Sequence, residues 1–206
     1  MNNKKIILFG GTFDPVHLGH TTVAKAAIEY IEADRIIFIP AKCSPLKSAL
    51  PRASDIDRLE MLTLAIEDED KYEVSDYEIS KPTPSFTLDT ARYFNSIYGK
   101  EYALYWLVGA DSIDDLIYWH RITELIDECN VAMMYRAEYE RPDFEKYKSV
   151  WGLGRVDKLQ KNIIPTPLVN ISSTEVRRTL SSGGDVIQML DNKVLSYIKE
   201  HKLYGI

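Results

Sequence analysis

The chain has 206 residues, with 25 Lys and Arg against 31 Asp and Glu and a formal charge of −6; 45% of its residues are hydrophobic and 27% charged. That is enough apolar material for a buried core without disulfide or metal staples, which excludes a disordered chain. No apolar run nears the roughly 18 residues of a membrane span. Only Ile6 to Phe9 follow the first two lysines, where a secretory leader needs about 7–15 apolar residues. Two cysteines, Cys43 and Cys129, make no disulfide framework, and the acidic balance speaks against a nucleic-acid partner. The expectation is one cytoplasmic domain over residues 1–206, touching neither membrane nor nucleic acid, with monomer and homo-oligomer both open.

In chain order, Lys5 to Phe9 is an apolar run ending at Gly10-Gly11, the signature of a strand buried on both faces. Leu18 to Ile31 carries apolar residues at helical spacing, and Arg35 to Ile39 is a second apolar strand stopped by Pro40. Strand, helix, strand in this span is a βαβ unit. Asp55 to Ile66 follows as a helix capped by Ser54 or Asp55. Tyr72 to Ile79 alternates like a strand. Thr87 to Tyr98 is a helix ended by Gly99, and Ala103 to Val108 a buried strand ended by Gly109. Ile113 to Ile126 reads as one helix or two, and Val131 to Tyr135 as a strand. The polar stretch Ala137 to Gly154 reads as a surface excursion. Ile163 to Val169, with Pro165 and Pro167, fits only an edge or irregular strand. Thr174 to Leu180 and Lys193 to Lys199 are short helices. The alternation predicts an α/β fold with a doubly wound, mostly parallel sheet and C-terminal helices.

The stretch richest in chemistry is Gly10-Gly11-Thr12-Phe13-Asp14-Pro15-Val16-His17-Leu18-Gly19-His20, between the first strand and the first helix. Ligands of open α/β sheets bind at the carboxyl ends of strands. A helix N-terminus there offers free N–H groups and a positive dipole end to phosphate. Gly10 and Gly11 permit close backbone approach, and His17 and His20 add titratable donors able to carry charge near pH 7. Neither the dinucleotide fingerprint G-x-G-x-x-G nor the P-loop pattern is present, and neither cysteine stands at a zinc-ligand spacing from the histidines. Ser172 and Glu175 form an S-x-x-E capping box before a late helix, with Arg177 one turn on to supply charge to a phosphate.

His17-Leu18-Gly19-His20 resembles the H-x-G-H signature of the nucleotidyltransferase superfamily, and Ile171-Ser172-Ser173-Thr174-Glu175-Val176-Arg177 resembles its late I-S-S-T motif. Within that superfamily the chain resembles the bacterial nicotinate-nucleotide adenylyltransferases. Lys47 of Pro45-Leu46-Lys47 matches a phosphate-contacting lysine, although Leu46 replaces a histidine. Ser85-Phe86-Thr87 resembles a Ser-Tyr-Thr motif that holds the pyridine carboxylate; the reading without a ligand makes Thr87 a helix N-cap. Gly109-Ala110-Asp111-Ser112 resembles a Gly-Ala-Asp motif. Trp119-His120 falls where the family stacks a Trp on the pyridine ring, and Arg136, followed here by Ala137-Glu138 instead of Pro-Gly, matches an arginine near the mononucleotide. Val194 to Tyr204 resembles the family's ending.

The resemblance implies a Rossmann-like fold and adenylyl transfer from ATP to nicotinate mononucleotide, giving deamido-NAD and pyrophosphate in NAD biosynthesis, with Mg2+ arriving as Mg-ATP. It implies catalytic roles for His17, His20, Lys47 and Arg177. ATP would meet Gly10, Gly11, Thr12, Phe13, His17, His20, Gly109, Asp111, Ser172, Ser173, Thr174 and Arg177. The mononucleotide would meet Asp14, Lys47, Ser85, Thr87, Trp119, His120 and Arg136. Nicotinamide mononucleotide as acceptor, and a nucleotide sensor without turnover, stay open as alternatives.

Overall fold

The computed structural model describes residues 4–43, 50–82, 84–109, 114–136, 143–167 and 169–206, with only the backbone of Arg136. Strands β1 (Lys4–Gly11), β2 (Arg35–Pro40), β3 (Tyr72–Val74), β4 (Tyr102–Gly109), β5 (Asn130–Arg136) and β6 (Ile163–Thr166) form one sheet in the order β3-β2-β1-β4-β5-β6. Every pairing in it is parallel. The apolar runs serve both faces, as the two-residue period of a strand demands. Ile7, Phe9, Ile36 and Phe38 join one core, while Ile6, Leu8, Ile37 and Ile39 join the other.

Helices cover both faces. On the first core lie α1 (Leu18–Ile31) through Ala24 and Ala27, and α2 (Asp55–Ile66) through Met61 and Leu62. On the second lie α3 (Thr87–Tyr98) through Leu88 and Ala91, α4 (Ile122–Glu128) through Leu125 and Ile126, α5 (Lys148–Trp151) through Trp151 and α6 (Leu153–Lys161) through Val156 and Leu159. The last two helices, α7 (Ser173–Ser181) and α8 (Asn192–Glu200), return to the first core with Val176, Leu180, Val194 and Ile198. The fold is doubly wound, and its strand order reverses between β1 and β4, so a crevice opens past Gly11 and Gly109 at their carboxyl ends.

Several local expectations need correction. The strand expected over Tyr72 to Ile79 stops at Val74, because after Ser75, whose N–H still donates to the Phe38 carbonyl (2.9 Å), the chain leaves the sheet for a turn in which Ser80 N–H donates to the Asp76 carbonyl (2.9 Å). Of the one helix or two expected over Ile113 to Ile126, the described residues form two short pieces, a 3-10 turn, Leu116–Tyr118, and, after a break, α4. Trp119 is extended there (φ −70°, ψ 135°) and Arg121 left-handed (φ 52°), which ends any helical hydrogen-bond ladder. The described part of the supposed surface excursion is built into the second core: Phe144 and Trp151 are 0% and 2% exposed. Ser54, not Asp55, caps α2, accepting from Asp57 N–H at 3.1 Å.

One charged side chain sits wholly inside. Arg58 on α2 is fully buried. Its Nη1 donates to the carbonyls of Thr12 (2.7 Å) and Ala41 (2.8 Å), and Nη2 donates to Asp55 Oδ1 (2.6 Å). This guanidinium ties together the two loops that leave β1 and β2.

Candidate functional site

The crevice has two unlike parts. The first surrounds the start of α1. His17, in extended conformation, is the N-cap. Its backbone N–H donates to His20 Nδ1 at 3.2 Å. With Nδ1 accepting, the neutral His20 ring carries its proton on Nε2, where it is a donor. The two imidazoles stack at 3.7 Å between centroids. Gly19 is required for that stack, because a Cβ there would lie 2.9 Å from the His17 ring. His20 also meets the Phe13 ring edge-on at 4.9 Å.

The expectation that both histidines carry charge near pH 7 fails for His17. It is 7% exposed, and burial pushes its pKa down to about 4, so it is neutral at pH 7. Phe13, expected at the ATP, is 1% exposed and packs on Phe9, Phe38 and His20. It shapes the site through the His20 ring.

The late motif reaches this loop across the chain. Ser173 Oγ donates to the Pro15 carbonyl (2.9 Å) over a separation of 158 residues, and Arg177 Nη1 donates to the Asp14 carbonyl (2.6 Å) over 163. Ser172 caps α7, accepting from Glu175 N–H at 3.2 Å. Arg177 is no loose cation: Nη2 also donates to Thr174 Oγ1 (3.2 Å), and Nη1 lies 3.7 Å from Asp14 Oδ2. Asp14, expected against the mononucleotide, is 5% exposed. Both its carboxylate oxygens already accept, from Arg52 N–H (2.8 Å), Ala53 N–H (3.0 Å) and the Tyr204 hydroxyl (2.9 Å). It braces the loop from inside.

The second part is a cavity of about 490 Å³ between the ends of β1 and β4 and the start of α3. Gly10, Gly11, Thr12 and Gly109 line it on one side; Ser85, Thr87, Trp119 and His120 line it on the other. A Cβ at Gly10 would stand 2.6 Å from the Trp106 ring, so that glycine lets the strand end pass the indole. Ser85 Oγ and Trp119 Nε1 are both buried; Ser85 bonds the buried Glu78 carboxyl, whereas Trp119 Nε1 has no hydrogen-bond partner among the described residues. A buried N–H left unmet in a cavity is costly unless something else fills it. Thr87 is not the N-cap: Phe86 holds that position without a side-chain cap, and Thr87 is the first helical residue. The His120 ring packs on Phe86 at 4.4 Å. The break after Leu116–Tyr118 is what turns Trp119 into the cavity.

Lys47 and Asp111 lie outside the described residues, as do Leu46, Ala110, Ser112, Ala137 and Glu138; of Arg136 only the backbone is described. The sequence reading missed Glu78, Phe86, Trp106, Asp115 and Tyr118, which line the same cavity. Glu78 is 4% exposed and accepts from Thr90 Oγ1 at 2.7 Å; burial pushes its carboxyl up. Its position in a segment taken for a strand hid it. Among the described residues no group of three or more His, Cys, Asp or Glu is placed to hold a metal, and no helix is long and apolar enough to cross a membrane.

Comparison with known proteins gives a consistent result. The cytidylyltransferase-like family model matches residues 8–179. A protein of Caldicellulosiruptor bescii named "Probable nicotinate-nucleotide adenylyltransferase" is 34% identical over 200 residues, covering 97% of this chain and 98% of its own. One of the same name from Clostridium tetani is 35% identical over 204 residues, covering 98% and 99%. Among solved structures, the nicotinic acid mononucleotide adenylyltransferase of Plasmodium falciparum complexed with NaAD superposes with a TM-score of 0.75 at 23% identity, over 98% of this chain and 97% of that one. That likeness concerns the fold. With the two-part crevice and full-length relatives above 30% identity, the chain belongs to the cytidylyltransferase-like family and, within it, to the nicotinate-nucleotide adenylyltransferases.

Proposed function

We propose that this chain acts as one nucleotidyltransferase domain that joins ATP and nicotinate mononucleotide. A phosphate oxygen of the mononucleotide attacks the α-phosphorus of ATP, the bond to the β-phosphate oxygen breaks, and deamido-NAD and pyrophosphate leave. No side chain need form a bond to phosphorus, so the protein's work is alignment and stabilisation of charge. His20, through its Nε2–H, serves the phosphates, with Arg177, Ser173 and Thr174 beside it. Lys47 completes the cationic set. His17, being neutral, serves by stacking on His20. Gly10, Gly11, Thr12, Gly109 and Asp111 bound the nucleotide; Trp119, His120, Ser85, Thr87 and Arg136 take the mononucleotide. Mg2+ bound to the triphosphate would supply positive charge to the leaving pyrophosphate. Two cysteines outside any disulfide suit a reducing cytoplasmic setting.

The observation that carries the choice of acceptor is the unmet donor Trp119 Nε1, beside Ser85 and Thr87. A carboxylate brings two acceptors to such donors; a carboxamide brings one and puts an N–H2 in place of the other. The test is pyrophosphate release with ATP and either mononucleotide. The expected result is release, with kcat/KM at least about 100-fold higher for nicotinate than for nicotinamide. Equal values would refute the acceptor, and no release with either would refute the activity.

A further inference from the structure

Asp14 is the point where distant parts of the chain meet. Its Oδ1 accepts from Ala53 N–H (3.0 Å) and the Tyr204 hydroxyl (2.9 Å), and its Oδ2 accepts from Arg52 N–H (2.8 Å). Arg177 Nη1 stands 3.7 Å from that Oδ2 yet donates to the Asp14 carbonyl at 2.6 Å. A guanidinium free to choose would take the carboxylate directly, at about 2.7–2.9 Å. The other three donors hold the carboxylate away from that geometry. Arg177 is thus kept beside the loop with its remaining N–H groups uncommitted to Asp14.

Tyr204 reaches this place at a cost. The segment Leu203–Gly205 curls back on α7 with two non-glycine residues in the left-handed region, Lys202 (φ 52°) and Tyr204 (φ 60°). Such backbone persists only where its surroundings hold it. Leu203 packing on the first core and the Tyr204–Asp14 hydrogen bond are what hold it here. Burial and then the Asp14 carboxylate push the Tyr204 phenol up, so its hydroxyl stays a donor across the neutral range.

We infer that Tyr204 is a positioning residue for Arg177, acting through the Asp14 carboxylate, and thereby belongs to the phosphate side of the crevice. This rests on the proposed use of that side for ATP. Without the hydroxyl, Asp14 Oδ1 keeps a single donor, the carboxylate can swing onto Arg177, and the guanidinium is withdrawn from its ligand.

The test is calorimetric binding of a non-hydrolysable ATP analogue to the full chain and to Tyr204→Phe, Arg177→Ala and the double variant, each checked for a cooperative thermal transition. Tyr204→Phe is expected to weaken the analogue about fivefold, and the double variant to bind no worse than Arg177→Ala alone. An affinity within about twofold of the parent, even with a lowered Tm, would make the hydroxyl a mere staple and overturn the inference. So would a Tyr204→Phe loss that persists in full beside Arg177→Ala. If Tyr204→Phe does not fold, Asp14→Asn, which keeps the volume and leaves no carboxylate to capture Arg177, must bind the analogue within about twofold of the parent, and a fivefold loss there would overturn the inference. Analogue binding is read without turnover. A parent chain that binds it but transfers nothing refutes the proposed reaction and leaves the inference standing; one that does not bind it refutes both.

Discussion

The two parts of the crevice are finished to different degrees. On the α1 side the polar groups largely answer one another: His17 N–H meets His20, Ser173 meets Pro15, and Arg177 and Tyr204 meet Asp14. On the α3 side the cavity keeps a buried donor, Trp119 Nε1, without a partner among the described residues. The first side is held by the fold before any ligand arrives, which suits groups that must be in place as charge builds up in a transition state. The second leaves its hydrogen bonds to be made by the ligand, which suits a group that must tell one substrate from another.

This contrast can be broken by measurement, beginning where the effect is largest. His20→Ala should lower kcat about 10²–10³-fold, the usual loss for one preorganised donor, with Tm nearly unchanged; near-parental turnover would mean the α1 side is not the phosphate side. Next comes the buried imidazole of His17. Its folded pKa of about 4 lies below the ordinary 6.5. From pH 6.5 down to 4 the unfolded chain therefore takes up a proton there that the folded chain refuses. The stability present above pH 6.5 should fall across that window by up to about 3 kcal/mol from this residue. His17→Gln should lose that much less than the parent in urea titrations at pH 7, 5 and 4; parallel losses would count against a buried neutral ring.

The cavity side should behave in the opposite way, costing binding and sparing the fold. Trp119→Phe should raise KM for the mononucleotide about fivefold, and a matching loss of stability instead would show that the indole is only core. Smallest of all, Ser85→Ala should raise that KM about threefold while lowering stability by no more than about 1 kcal/mol, the worth of its hydrogen bond to Glu78. A drop in Tm with KM unchanged would mean that Ser85 serves the fold alone.

The legible part of the molecule was what repeats at short range. The runs at Lys5 to Phe9 and Arg35 to Ile39 are strands because both alternating sets of side chains are buried. The segment around Phe144 was misread because its apolar residues are sparse. Phe144, Tyr147 and Trp151 fall at i, i+3 and i+7, a helical face that Glu145, Lys146 and Lys148 disguise as polar surface. The loop from Gly10 to His20 and the motif around Ser172 were readable through their resemblance, and the hydrogen bonds from Ser173 and Arg177 join them. The inward turn of Asp14 was not readable, for it depends on Tyr204, 190 positions away. The neutrality of His17 was hidden for a similar reason, because burial is a property of the packed fold and not of the H-x-G-H spelling.

Arg58 gives the crevice a constancy that its histidines lack. A guanidinium does not surrender its proton at any pH a cell experiences. Its grip on the carbonyls of Thr12 and Ala41 therefore does not loosen as acidity changes. A lysine or histidine in that interior place would turn each pH excursion into a chance for the two loops to part. The anchor between the two loops thus stays a donor as its surroundings acidify.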